Sequence, residues 1–268
     1  MVDVSSSIVT KIVEWAKQEQ TVKAVILQGS HATNQADRYS DYDLSLFCTE
    51  IETFTYNDTW LSAFGNVWIC VHEKLCLAQQ IVPTRLVIFE DGIKVDFTLF
   101  SPDILRTVHC LPPFKILVDK ENMLKNVENE AYERDNPSLQ QFVRCIKEFW
   151  FEAYHVAIAL KREDLWNAKF RFEAIDAFLL QMIEWHASAL NEGQQILHGG
   201  KWMRSWVTPC CWEYIQKISS LPSVSWERLD ETMQLFRLLA TETAFKWHYL
   251  DALDLDFNIS HYISSLKL

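Results

Sequence analysis

The sequence lacks the features of several specialised protein classes. Only 6 of its 268 residues are glycine, which excludes a collagen-like chain. The hydrophobic content of 49% is enough to form a core, which excludes an intrinsically disordered chain. No apolar run reaches the roughly 18 residues that a membrane span needs, and the N-terminus lacks the basic and apolar regions of a signal peptide. We therefore expect a soluble, cytoplasmic protein.

Positive charge is also scarce. The chain carries 25 Lys and Arg residues against 36 Asp and Glu residues, which gives a net charge of -11. Nucleic-acid-binding domains are usually basic, so we expect no nucleic-acid partner. An acidic surface either attracts a cationic ligand or serves only to keep the protein soluble. The oligomeric state does not follow from these numbers.

Motifs for disulfides and structural zinc are missing as well. The seven cysteines are odd in number and contain no CxxC pair, which argues against a disulfide framework and against a zinc ribbon. We expect all seven to be small buried apolar side chains. The eight histidines show no HxxxH spacing, so the sequence indicates no structural zinc site.

Hydrophobic patterning divides the chain in two. The N-terminal segment is an amphipathic helix, and the apolar segments that follow predict strands at residues 23–28, 43–48 and 67–71. Residues 85–89 and 93–100 flank an Asp-Gly turn, a pattern typical of a β-hairpin. The first part of the chain is therefore predicted to be a mixed α/β domain.

From Asn136 onward the period becomes helical. One apolar stripe has helical spacing and comprises Phe142, Cys145, Ile146, Phe149, Ala153, Val156 and Leu160. Further helices are predicted at residues 163–190, 202–206, 211–219 and 226–250. The sequence therefore predicts an α+β protein with a mixed-sheet domain at residues 1–133 and a helical domain at residues 134–268.

The candidate functional residues are three carboxylates and a Gly-Ser pair. Gly29 and Ser30 end a predicted strand, where backbone N–H groups and the hydroxyl could hold a phosphate. After ten intervening residues, Asp41 and Asp43 should share one face, where they repel each other unless a cation lies between them. Asp96 interrupts an apolar strand, where a charge is costly unless it has a partner. Three such carboxylates can bind Mg²⁺ together with a triphosphate.

This order of elements resembles the nucleotidyltransferase superfamily, whose members have a DNA polymerase β-like fold. The later runs Lys147-Glu148-Phe149-Trp150, Arg162 with Ala168, and Gly200-Lys201 resemble the streptomycin (aminoglycoside 6-) adenylyltransferase family. The resemblance implies transfer of AMP from ATP to a hydroxyl of a streptomycin-like aminoglycoside, with Mg²⁺ and release of pyrophosphate. It also implies a catalytic N-terminal domain and a helical substrate-binding domain.

The resemblance implies roles for individual residues in the catalytic domain. Asp41, Asp43 and Asp96 would bind the metal, and Asp96 could also accept the proton of the acceptor hydroxyl. Gly29 and Ser30 would bind the β- and γ-phosphates. These assignments predict that the five residues lie together.

Two residues of the helical domain are also candidates. Glu148 would act as a general base or bind a substrate ammonium group, with a helix-surface ion pair as the alternative. Lys201 would reach the triphosphate, or it would be a solvated loop residue.

The sequence departs from the family pattern beside Gly29 and Ser30. Gln28 and His31 stand where the family usually has Asn and Arg, so the nucleotide cradle could differ in detail. His31 could contact a phosphate when protonated, or it could face solvent. Two other functions stay open: adenylylation of another small-molecule or protein hydroxyl, and a non-catalytic binding module with this fold. The three aspartates argue against the second, because a degenerate site would be expected to lose at least one of them.

Overall fold

The chain forms two compact units, Met1–Glu133 and Arg134–Leu268. A computed structural model describes residues 4–77, 80–106, 110–129, 136–190, 198–249 and 257–267. The residues on either side of the predicted domain boundary lie outside these described ranges.

The first unit is built on a six-stranded mixed sheet. Its strands are β1 (Val22–Gln28), β2 (Tyr42–Cys48), β3 (Val67–Leu77), β4 (Gln80–Phe89), β5 (Lys94–Phe100) and, after the short β6 (Cys110–Leu111), β7 (Lys115–Asp119). The strand order is β3-β4-β5-β2-β1-β7, and β6 pairs separately with β8 (Glu128–Asn129). Within the sheet, β2 and β5 are parallel, whereas the other neighbouring strands are antiparallel.

Helices and short turns of helix surround this sheet. They are α1 (Val4–Gln18), α2 (Gly29–Ala32), α3 (Ile51–Thr55) and the 3₁₀ helices Thr59–Ala63, Glu90–Gly92 and Pro102–Arg106. The predicted apolar stripe of α1 is buried at Ile8, Ile12 and Ala16, in one core cluster with side chains from β1, β2 and β5. The N-terminal helix therefore covers one face of the sheet.

The predicted strands are present, and the structure extends or adds to them. β3 continues to Leu77, six residues beyond its predicted end. β7, which pairs with β1, was not predicted, because its five residues carry only a short apolar pattern. The predicted hairpin is confirmed: β4 and β5 pair antiparallel, and Asp91 and Gly92 have φ values of 68° and 76°. Two such residues in succession are typical of the tight turn that joins twisted strands.

The second unit is helical. Its helices are α4 (Leu139–Lys161), α5 (Leu165–Leu190), α6 (Pro209–Ser220), α7 (Trp226–Trp247) and α8 (Phe257–Ser265), with 3₁₀ turns at His198–Gly200 and Met203–Ser205. All seven residues of the predicted stripe on α4 are buried. The predicted end of the α7 segment, Leu250, lies outside the described residues. The α+β fold class is confirmed.

The expectation that every cysteine is buried is wrong. Cys48, Cys145 and Cys211 are buried, but Cys76 and Cys210 are exposed and Cys70 is half-buried. Cys76 lies on β3, the sheet-edge strand, where solvent reaches the side chains directly. The side chain of Cys110 lies outside the described part of the structure.

Across the described ranges, no helix combines the length and the apolar character that crossing a bilayer would require.

Candidate active site

The parallel pairing of β2 with β5 brings the predicted carboxylates together. Asp43 is directly opposite Asp96 in the register of the two strands. Directly paired residues point to the same face of a sheet, and Asp41 lies two residues before Asp43. One carboxylate oxygen from each of the three aspartates lies within 4.8 Å of the others. Residues separated by more than 50 positions therefore form a single acidic cluster.

Gly29 packs directly against this cluster. It follows the last residue of β1, has a φ of +63°, and begins the short helix α2. A Cβ atom at this position would lie 2.0 Å from Oδ2 of Asp43. The glycine is therefore required both by its backbone conformation and by the space that the Asp43 carboxylate occupies.

Lys94, which sequence reasoning missed, bridges two of the carboxylates. Its Nζ donates to Oδ2 of Asp41 at 2.8 Å and to Oδ2 of Asp96 at 2.6 Å. Partial burial alone would lower the pKa of Lys94, but the hydrogen bonds and negative charges of the two aspartates outweigh it and raise the pKa above its usual value. The available signal was the alternation in Lys94-Val95-Asp96, which places a cation and a carboxylate on one face of β5.

The cluster has the donor chemistry of a site for a hard divalent cation. Oδ1 of Asp96 is buried and has no hydrogen-bond partner among the described residues, although Oδ2 of the same carboxylate is bound by Lys94. A buried carboxylate oxygen without a partner is costly, and a cation would satisfy it. Carboxylate oxygens are also the ligands that Mg²⁺ prefers in proteins. The residues therefore fit a divalent metal.

The two positions that depart from the family pattern have defined roles. Oε1 of Gln28 accepts a hydrogen bond from the Ser45 hydroxyl at 2.6 Å, which joins β1 to β2. The ring of His31 stacks on Tyr42 with 4.0 Å between ring centroids, and its Nε2 is buried. His31 is therefore half-buried, with its ring packed on Tyr42 rather than fully in solvent. The carbonyl oxygen of His31 accepts from Lys115 Nζ at 2.8 Å, which ties α2 to β7.

Glu148 and Lys201, the predicted site residues of the second unit, each form a hydrogen bond with another residue of that unit. Glu148, on α4, accepts from Nε of Arg144 at 2.8 Å, in an ion pair spaced one helical turn apart. Lys201 is exposed and follows Gly199 and Gly200, both of which have positive φ values. Its carbonyl oxygen accepts from the indole N–H of Trp206 at 2.8 Å. The functional roles of Glu148 and Lys201 stay predictions.

Comparison with known proteins identifies the family. Residues 3–266 match the streptomycin adenylyltransferase family. The chain belongs to this family. It is therefore a nucleotidyltransferase enzyme, as the three aspartates predicted.

Three curated proteins named aminoglycoside 6-adenylyltransferase resemble this family member along two thirds or more of its length. The aminoglycoside 6-adenylyltransferase of Campylobacter jejuni is 27% identical over 96% of this chain and 93% of its own length. The enzyme of the same name from Staphylococcus aureus is 32% identical over 67% and 68% of the two chains. The one from Bacillus subtilis (strain 168) is 27% identical over 84% of each.

Proposed function

We propose that this protein transfers AMP from ATP to a hydroxyl group of an aminoglycoside of the streptomycin type and releases pyrophosphate. The observation that carries the proposal is the cluster of Asp41, Asp43 and Asp96 in a member of this adenylyltransferase family. The three relatives are each named for adenylylation of aminoglycosides, which supports that class of acceptor.

Asp41, Asp43 and Asp96 are the proposed ligands of Mg²⁺. When bound, the ion would lower the charge on the transferring phosphate and stabilise the departing pyrophosphate. Gly29 and Ser30 are proposed to hold the β- and γ-phosphates through backbone N–H groups and the hydroxyl. Before a metal arrives, Lys94 neutralises part of the negative charge of Asp41 and Asp96, and Mg²⁺ would displace it from these carboxylates.

Asp96 is the favoured acceptor of the proton from the attacking hydroxyl. Its side chain is 20% exposed, compared with 35% for Asp41, so it is the more shielded of the two carboxylates that Lys94 contacts. Shielding from water strengthens the interactions of a carboxylate with charges that develop during the reaction. Glu148 is the second candidate, and the effects of Asp96→Asn and Glu148→Gln on the pH dependence of turnover distinguish them.

We assign the two units different tasks. The mixed-sheet unit holds the nucleotide, since all three aspartates belong to it. The helical unit binds the acceptor. If Glu148 is not the general base, it binds an ammonium group of the substrate. Lys201 is proposed to contribute to binding of the triphosphate.

The test is pyrophosphate release with ATP and Mg²⁺, with and without streptomycin. We expect streptomycin-dependent release by the wild type and a loss of about 10²–10³-fold or more in Asp43→Asn, since an amide cannot replace the carboxylate charge. Asp103→Asn is the matched control, because Asp103 is 72% exposed and forms an ion pair with the neighbouring Arg106.

The remaining outcomes separate the alternatives. ATP binding that needs Asp43, without release in the presence of streptomycin, keeps the nucleotidyltransferase and rejects this acceptor. Absence of both nucleotide binding and release contradicts the proposal and favours a binding module.

A further inference from the structure

A second group of potential metal ligands lies on the outer strand of the sheet. Cys70 and His72 are two residues apart on β3, and Asp58 immediately precedes the 3₁₀ helix Thr59–Ala63. Oδ2 of Asp58 lies 2.6 Å from Nε2 of His72 and 3.8 Å from Sγ of Cys70. One donor atom from each of the three residues lies within 4.8 Å of the others. The group joins a loop to the sheet edge.

This group and the aspartate cluster are on opposite faces of the sheet. His72 pairs with Arg85 on β4, and Arg85 pairs with Phe97 on β5. Directly paired residues share a face, whereas consecutive residues of one strand alternate between faces. Because Asp96 precedes Phe97, its side chain points away from the face that carries His72. The two groups of ligands are therefore separate from each other.

Arg85 orients the Asp58 carboxylate. The guanidinium side chain is 3% exposed, and its Nε donates to Oδ1 of Asp58 at 2.8 Å. Oδ2 of the same carboxylate is then directed at Cys70 and His72. Arg85 thus fixes the orientation of Asp58 by a hydrogen bond, as residues that contact metal ligands do in known metal sites.

We infer that Asp58, Cys70 and His72 form a site for Zn²⁺ or a similar borderline-soft divalent cation. A thiolate, an imidazole and a carboxylate are the donors that zinc takes in proteins, at roughly 2.0–2.3 Å, so neighbouring ligand atoms of a tetrahedral site lie roughly 3.3–3.7 Å apart. The distances of 2.6 Å and 3.8 Å need only small side-chain adjustments to reach that geometry. A water molecule or a further ligand would complete the coordination.

The same geometry argues against a reactive cysteine. Burial, and then the negative charge of Asp58, raise the pKa of Cys70 above its usual value. The thiol contacts the Asp58 carboxylate, whose negative charge disfavours the thiolate that a nucleophilic cysteine needs. A bound cation would take the place of the thiol proton, which is released to solvent on binding.

The exposure of the site permits ion entry, and its position suggests a structural effect. The His72 side chain is 55% exposed and that of Asp58 is 32% exposed. Asp58 also lines an open groove of about 750 Å³, next to Asn57, Thr59 and Ser62. A cation bound here would tie the segment around the 3₁₀ helix to the edge strand β3. Binding should therefore stabilise the first unit.

Cobalt titration of the metal-stripped full chain, in excess Mg²⁺, tests the inference. Mg²⁺ occupies hard carboxylate sites, whereas Co²⁺ bound by a thiolate gives a near-ultraviolet charge-transfer band and strong visible bands of tetrahedral coordination. We expect both signals in the wild type, displacement of Co²⁺ by Zn²⁺, and a loss of affinity of at least roughly tenfold in Cys70→Ser and in His72→Asn. Zn²⁺ should raise the Tm of the wild type but not of Cys70→Ser.

Cys76→Ser is the matched control, because Cys76 is an exposed cysteine on the same strand. It should bind Co²⁺ like the wild type. The inference is overturned if the wild type gives no charge-transfer band, or if the band persists unchanged in Cys70→Ser. A band that disappears in Cys76→Ser or in Cys210→Ser, and not in Cys70→Ser, also overturns it by placing the thiolate elsewhere.

Discussion

Individual residues at the aspartate cluster have roles that follow from contacts rather than from residue type alone. Gly29 is the clearest case. The sequence suggested that a glycine lets the backbone approach a phosphate, but the structure shows a second reason, since the Asp43 carboxylate fills the space of a Cβ atom. The glycine thus supports a proposed metal ligand as well as a proposed phosphate contact.

Replacing Gly29 should therefore impair catalysis. In Gly29→Ala the methyl group would collide with Asp43 and displace its carboxylate. We expect kcat/KM for pyrophosphate release to fall by about 10²-fold, the effect of a small misplacement of a catalytic group. Gly92→Ala is the control, because Gly92 has a φ of +76° and the described residues, apart from its chain neighbours, place no atom within 4 Å of the added methyl. Equal losses of kcat/KM in the two variants would show that backbone strain alone is responsible.

Lys94 should compete with divalent metal for the carboxylates. It contacts both Asp41 and Asp96, so Lys94→Met removes a cation that a metal must displace. Without nucleotide, we expect Mn²⁺ to bind roughly tenfold more tightly to the variant, as measured by electron paramagnetic resonance of free Mn²⁺.

Lys115→Met controls for the loss of one positive charge. Lys115 contacts the His31 carbonyl and Asn34 rather than the three carboxylates, so Mn²⁺ affinity should change little. Unchanged or weaker Mn²⁺ binding in Lys94→Met would contradict this role. Binding that does not depend on Asp43 in any variant would instead contradict the proposed metal site.

At the level of elements, strand pairing and helix capping explain much of the architecture. The hairpin of β4 and β5 begins from an Asp-Gly turn, and the parallel pairing of β5 with β2 then brings Asp96 opposite Asp43. In the second unit, α4 begins at a capping box in which Ser138 Oγ accepts from the Gln141 N–H and the Gln141 side chain accepts from the Ser138 N–H. The Asp-Gly turn and the capping box are local and readable in the sequence, whereas the parallel pairing joins strands that are distant in sequence.

The capping box of α4 should contribute measurably to stability. Ser138→Ala leaves a helix N–H group without its side-chain partner, and we expect the free energy of unfolding in urea to fall by about 1 kcal/mol. Ser220→Ala is the comparison, because that hydroxyl bonds the Lys217 carbonyl at the exposed end of α6. It should change stability by less than about 0.5 kcal/mol. A loss no larger in Ser138→Ala than in Ser220→Ala would show that the cap is not stabilising.

For the whole molecule, the net charge of -11 gains significance if the acceptor is a polycation. Long-range attraction would then raise the rate of encounter with the aminoglycoside, and salt would screen it. We expect KM for streptomycin to rise severalfold between low and high ionic strength, whereas kcat changes by less than about twofold. A KM that does not depend on salt would indicate that the net negative charge serves only to keep the protein soluble.

The sequence by itself determined the α+β class, most strands and helices, and the three aspartates that define the proposed catalytic chemistry. These are local signals: apolar periodicity sets each element, Asp91-Gly92 sets a turn, and a carboxylate in an apolar strand demands a partner. Only the tertiary structure decided that Lys94 bridges Asp41 and Asp96, and that Gly29 makes room for Asp43. The tertiary structure also places Asp58 next to Cys70 and His72, and no short sequence motif predicted this group. Strand register and loop placement depend on packing across the whole unit, so contacts between residues that are distant in sequence emerge only when the chain has folded.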